Sequence, residues 1–271
     1  MVKLFNVSQK AAAGFLVLSL SFSTVLISFT RGAEAKYSWS TTAEQSETLE
    51  QRIQPPEGFQ RIPARQNSFA SWLRGLPLKK KSSPVRLHNG SLKWNQFAHL
   101  HVIDIDVGKR DLQQCADAVM RLRAEYLYSR KRYGDIAFNY TNGKRIYYTR
   151  WAKDRSYKRF RKYMTNIFIY AGTYSLSKEL PTVPVSDIKI GDIFIHGGFP
   201  GHAVIVADMV HNPATKEKRF LLVQSFMPAQ EMHVLRNPAN PTSPWYDANV
   251  GNMLITPEWT FKNVKLKRFR D

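Results

Sequence analysis

Three apolar runs lie close together between residues 191 and 227: "GDIFIHG", "HAVIVADMVHN" and "RFLLVQSFM". They are joined by "GFPG" and "PATKEK", four and six residues long. Links of that length reverse a chain but cannot form the crossover that parallel strands need, so the runs are expected as an antiparallel meander. Ahead of them, "RDLQQCADAVMRLRAEYLYSRK" (110–131) places Leu112, Cys115, Ala116, Val119, Leu122 and Tyr126 at helical spacing. Asp111 is its expected N-cap, with Gln114 completing a capping-box pattern. Helices followed by a run of strands give an α+β fold rather than an alternating α/β one.

The remaining segments fit around that frame. "AHLHVIDIDV" (98–107) alternates as a strand, and "IAFNYTNGKRIYYT" is a hairpin by its Asn-Gly turn. "SYKRFRKYMTNIFIYAGTYSLSKEL" (156–180) is helical with a break at Ala171-Gly172-Thr173, and Tyr157, Phe160, Tyr163 and Met164 form its core-facing stripe. "SFASWLRGLPL" (68–78) is a short helix stopped by Gly-Leu-Pro. The stretch before it is rich in Gln, Glu, Ser and Pro and is expected as a flexible extension over 36–67. One α+β domain then covers 68–271, with a Pro-rich stretch "RNPANPTSPWYD", a late strand and the tail "TPEWTFKNVKLKRF". No internal repeat is present.

Residues 1–35 stand apart. Lys3 and Lys10 precede an apolar run from Ala11 to Phe29, and Ala33-Glu34-Ala35 supplies a small-x-small cleavage pattern. This is the layout of a secretory signal peptide cleaved near Ala35, the alternative being an uncleaved anchor. Either way the rest is expected outside the cytoplasm, periplasmic or extracellular. Without residues 1–35, 37 basic and 20 acidic side chains remain, a net charge of +17. For an exported chain such a field points to anionic envelope polymers such as peptidoglycan, or to contact with a membrane surface, and no nucleic-acid partner is expected. The basic runs are dispersed, as on a solvated surface.

The chain has a single cysteine, so no intramolecular disulfide can form. An unpaired thiol in an oxidising compartment is a liability unless it is buried or used. Thiol catalysis needs a cysteine, a neutral imidazole within reach and a polar group that orients the ring. Cys115 lies near a helix start, where unpaired N–H groups favour a thiolate. His202 heads the middle strand, and Gln224 interrupts the next apolar run. Strand alternation puts His202, Val204 and Val206 on one face and Leu222, Gln224 and Phe226 on one face, so His202 and Gln224 are expected to face the helix together. The Cys115 amide, with a further amide or the Gln114 side chain, is the candidate oxyanion hole. The glycines of "GGFPG" are expected to leave room for a substrate backbone. His99, His101, His196 and His233 lack accompanying Cys or carboxylate spacing, so no metal is expected. A carboxylate pair drawn from Asp104, Asp106, Glu125 and Asp192 is a weaker candidate, because Asp192 suits a turn.

A cysteine at a helix start, then "IKIGDIFI…GHAVIV", then a polar residue on the following strand, resembles the papain-like cell-wall peptidases of the NlpC type and their amidase relatives. In that family a Gly-Asp pair opens the first strand, a histidine opens the second and a polar residue on the third completes a triad. Gly191-Asp192, His202 and Gln224 match those positions, with Cys115 as nucleophile. The resemblance implies a papain-like fold, a helix packed on an antiparallel β-meander with an inserted hairpin and helix. It also implies an exported cysteine hydrolase that needs no cofactor and cleaves an amide bond in peptidoglycan peptides. Two departures stand out. The family's Asp-Cys-Ser-Gly is replaced by Gln114-Cys115-Ala116-Asp117, and 87 positions separate Cys115 from His202. Across nearly the whole chain after residue 35, "DLQQCADAVMRLRAEYL" and "PGHAVIV…LLVQSFMPAQ" also resemble an uncharacterised family of bacterial secreted proteins, a domain of unknown function that brings no activity with it. Two rival functions stay open: an envelope-binding module that has lost catalysis, and a thiol-dependent acyl-ester hydrolase or acyltransferase.

Overall fold

The computed structural model describes residues 37–39 and 46–270. The expected signal peptide and its cleavage point lie outside the described residues. In chain order the elements are α1 (Leu49–Arg52), β1 (Gln60–Arg61), α2 (Phe69–Arg74), β2 (His99–Val102), α3 (Cys115–Ser129), β3 (Ala137–Asn139), β4 (Arg145–Tyr147), α4 (Tyr148–Trp151), α5 (Tyr157–Tyr170) and α6 (Thr173–Glu179). There follow β5 (Thr182–Val183), β6 (Ile193–His196), β7 (His202–His211), β8 (Lys218–Gln224), β9 (His233–Leu235), β10 (Tyr246–Asp247), β11 (Met253–Ile255), β12 (Thr260–Lys262) and β13 (Leu266–Lys267). The class is α+β.

Among the described residues, nine strands form one sheet whose main path runs β2-β9-β8-β7-β6-β13-β5, with every pairing antiparallel. The expected meander is its centre. His196 pairs with His202, Ile205 with Val223, and Gln224 with His233. Alternation along β7 and β8 makes two apolar faces. Ala203, Ile205 and Val223 pack in the cluster that contains α3, whereas Val204, Val206 and Leu222 pack with Leu254 and Phe261 of the β11–β12 hairpin. Helices therefore cover one face of the sheet and a small hairpin covers the other.

α3 is the central helix, with residues 115–127 all buried. Such burial forces its charged side chains to find partners. Arg121, fully buried, donates to Asp106 (2.9 Å) and Gln113 (2.5 Å) and pairs with Glu125. α5 buries Phe160, Tyr163, Met164 and Ile167 at three- and four-residue spacing and is capped by Ser156, whose hydroxyl accepts from the Arg159 amide. Its lysines and arginines consequently lie off the core. α2 is capped by Ser68 and ends at Gly75, as expected.

Three expectations change. The helix begins at Cys115 with Gln114 at the N-cap, not at Asp111. Asp111 is drawn away by tertiary contacts, accepting hydrogen bonds from the Ala229 amide (2.7 Å) and Gln114 Nε2 (3.0 Å). Residues 46–67, placed in a flexible extension, are built into the domain: Leu49 is fully buried and β1 pairs with the far end of β7. Arg61 and Arg74 both bind the buried Asp208 carboxylate, tying this segment and α2 to β7 just after its bulge. Lastly, Gly197 and Gly201 leave room for α6 rather than for open space. A Cβ at Gly201 would lie 2.2 Å from Thr173 Oγ1, and one at Gly197 would lie 2.0 Å from Ser177 Oγ.

Candidate functional site

Three of the expected residues converge at one end of the sheet. Cys115 is the first residue of α3, and its Sγ makes a long contact, 3.9 Å, with Gly201 O. The thiol thus touches the backbone carbonyl just before His202. On β7 the His202 ring lies against Phe226, Trp259 and Phe261, with ring centroids 4.9, 5.4 and 5.7 Å away. Its side chain therefore belongs to the hairpin face of the sheet and not to the α3 face, which corrects the expectation that His202 and Gln224 face the helix. Cys115 and His202 lie at the same strand end, the thiol against the backbone just before β7 and the ring on the hairpin face.

His202 Nε2 is 2.9 Å from Gln224 Oε1. The protons in this network follow from its chemistry, beginning at His233 on β9. Its Nδ1 donates to the Glu231 carbonyl (2.8 Å), so Nε2 carries the lone pair. Gln224 Nε2 donates to that lone pair (3.2 Å) and to Glu258 Oε2 (2.8 Å). A flipped amide would set Gln224 Oε1 against the Glu258 carboxylate, acceptor against acceptor, so the orientation is fixed. Gln224 Oε1 then requires a proton on His202 Nε2. His202 Nδ1 is left as the unprotonated nitrogen, and it is buried with no hydrogen-bond partner among the described residues. Lys93 closes the network, donating to Glu258 Oε2 (2.5 Å) and to His233 Nε2 (3.4 Å).

The electrostatics match a neutral resting pair. Burial lowers the His202 pKa to about 4, with the Lys93 charge adding to the effect and the Gln224 bond opposing it. Burial, and then the nearby Asp117, pushes the Cys115 thiol up to about 11. His233 is held well below its ordinary value by burial and by Lys93. The Cys115 hydrogen is directed to Gly201 O and not to the ring. The site consists of a protonated thiol and a neutral imidazole whose free lone pair sits at the same strand end.

Cys115, His202 and Gln224 are marked in the sequence, whereas Lys93 and Glu258 are not, and His233 stands out there only as a metal-ligand candidate. Gln114, the proposed oxyanion donor, turns its side-chain amide to Asp111. Of the carboxylates considered for glycoside chemistry, Asp106, Glu125 and Asp192 are each held by arginine. The signal for His233 was a polar residue in the short apolar strand "HVL". Lys93 and Glu258 lie in irregular segments with no local pattern to mark them.

The chain is thus an α+β domain with a buried cysteine, histidine and glutamine at one sheet end. The family model described as Domain of unknown function (4846) matches residues 49–268, and the chain belongs to that family. No curated protein and no solved structure matches it.

Proposed function

We propose that the protein is an exported cysteine hydrolase of papain-like, NlpC-type architecture that cleaves an amide bond in peptidoglycan peptides. The observation that carries the reading is the ordered network ending on His202 Nδ1, a buried lone pair with no partner, on a residue whose flanking backbone touches the Cys115 thiol. In this reading the thiol proton passes to Nδ1 as sulfur attacks the scissile carbonyl carbon. The oxyanion collapses, the C–N bond breaks, and the leaving amine takes the proton from the imidazolium. Water then attacks the thioester, giving its proton to Nδ1, and the thiol is restored with release of the carboxylic acid. Gln224 holds the ring and stabilises the charge that forms on it. The Cys115 amide is a candidate oxyanion donor, since a first-turn N–H has no partner within its helix. The net positive charge favours residence near anionic envelope polymers.

A second reading has its own support. Cys115 is 6 % exposed and its thiol is held in the protonated form, as suits a binding module that keeps the fold without catalysis. The two readings part in a hydrolysis assay. The protein and its Cys115→Ala variant are incubated with peptidoglycan fragments and, separately, with acyl esters, and new amino groups and free acids are counted. Release of amino groups by the protein alone supports the amidase. Cleavage confined to the esters moves the chemistry to acyl groups, and absence of cleavage leaves the binding module.

A further inference from the structure

A cavity of about 450 Å³ opens beside the network, reaching it through Phe226 and Glu258. Its size suits a short segment of a small ligand. At its base is Gln230, 1 % exposed, whose Oε1 has no hydrogen-bond partner among the described residues. A buried amide oxygen left unpaired is costly, and a donor arriving in the cavity relieves that cost. Glu258 accepts from both Gln224 and Lys93 through Oε2, which leaves Oε1 as a second acceptor. The mouth is apolar: Trp94 is 97 % exposed, with Leu92 and Met227 also exposed beside it. Large apolar side chains grouped around a cavity mark a contact surface.

These features define the occupant. Lys93 and Glu258 neutralise one another at the floor, so the cavity is not built for an anion even though the whole chain is strongly basic. Gln230 offers an acceptor and a donor in one plane, the complement of a peptide group, and the rim offers apolar surface to a neighbouring side chain. We infer that this cavity is a peptide-binding subsite, in which a backbone amide pairs with Gln230 and an apolar side chain packs on Trp94 and Leu92. That a peptide held there is a substrate rests on the proposed hydrolase. Phe226 and Glu258 adjoin His202 and Gln224, so the peptide lies against the same network.

The test is isothermal titration of the full chain carrying Cys115→Ala with the capped peptide Ac-Ala-Leu-Ala-NH2, with octanoate and with N-acetylglucosamine. The peptide is expected to bind tightest. Gln230→Leu should weaken it about tenfold and leave octanoate unchanged. Trp94→Ala, at a fully exposed position where folding is not at risk, should also weaken the peptide. Tighter binding of octanoate or of the sugar, or peptide affinity unmoved by Trp94→Ala, would overturn the subsite. Because the variant has no thiol, the titration does not depend on hydrolysis. Peptide binding without cleavage by the unmodified protein keeps the subsite and ends the hydrolase reading; cleavage without peptide binding does the reverse.

Discussion

At the scale of single residues, the decisive feature is which nitrogen of His202 is free. Glu258 fixes the Gln224 amide, Gln224 fixes the ring, and the ring then presents Nδ1. Gln224→Leu removes the acceptor that holds the proton on Nε2. It is expected to lower kcat for amide cleavage about a hundredfold or more with little change in KM, measured on peptidoglycan fragments. Glu258→Gln should have a smaller effect in the same direction, because it permits the Gln224 amide to turn. The thiol makes a separate prediction. With Cys115 pushed up to about 11, alkylation of the free protein by iodoacetamide at pH 7 should run about a hundredfold slower than for an ordinary cysteine, and its rate should climb with pH. A rate already level near neutrality would mean a thiolate–imidazolium pair at rest and would contradict the neutral pair described above.

At the scale of elements, what could be read from the sequence depended on how local its cause was. The meander, the break between α5 and α6, and the core stripe of α5 follow from periodicity and turn residues within each segment. The start of α3 did not follow. Asp111 is a good cap by local rules, but Ala229, far along the chain, claims its carboxylate. Cys115, His202 and Gln224 were legible because they stand out in ordered apolar elements, whereas Lys93 and Glu258 acquire meaning only when distant loops meet. The same contrast applies to the glycine loop before β7. Its composition suggested open space, but Gly201→Ala would press a Cβ onto Thr173 Oγ1 at 2.2 Å and onto the Gly198 and His196 carbonyls at 2.6 and 2.7 Å. A cost of about 1–3 kcal/mol in chemical denaturation is expected, with α6 displaced from the strand end. Asp208→Ala should cost more, about 3–5 kcal/mol, because it leaves Arg74 buried without its carboxylate.

At the scale of the whole molecule, several buried imidazoles set the response to acid. His99, His101, His202 and His233 all have pKa values lowered chiefly by burial, His101 and His202 to about 4. Each folded ring holds a proton less tightly than the unfolded ring, so unfolding takes up protons in acid. The imidazole contribution to stability is full above pH 6.5 and is lost as the pH drops towards 4; His202 alone accounts for about 3 kcal/mol across that window. Thermal melts between pH 7 and 4 should show a falling Tm, with a shallower slope in a folded His202→Phe variant. Attack of Cys115 on an amide carbonyl with His202 as its base can be followed by mass spectrometry of the protein quenched in acid during turnover of peptidoglycan peptides. An acyl adduct on the peptide that contains Cys115 is expected, formed at least a hundredfold more slowly in His202→Ala. Turnover with no adduct on Cys115, undiminished in Cys115→Ala, would contradict this mechanism.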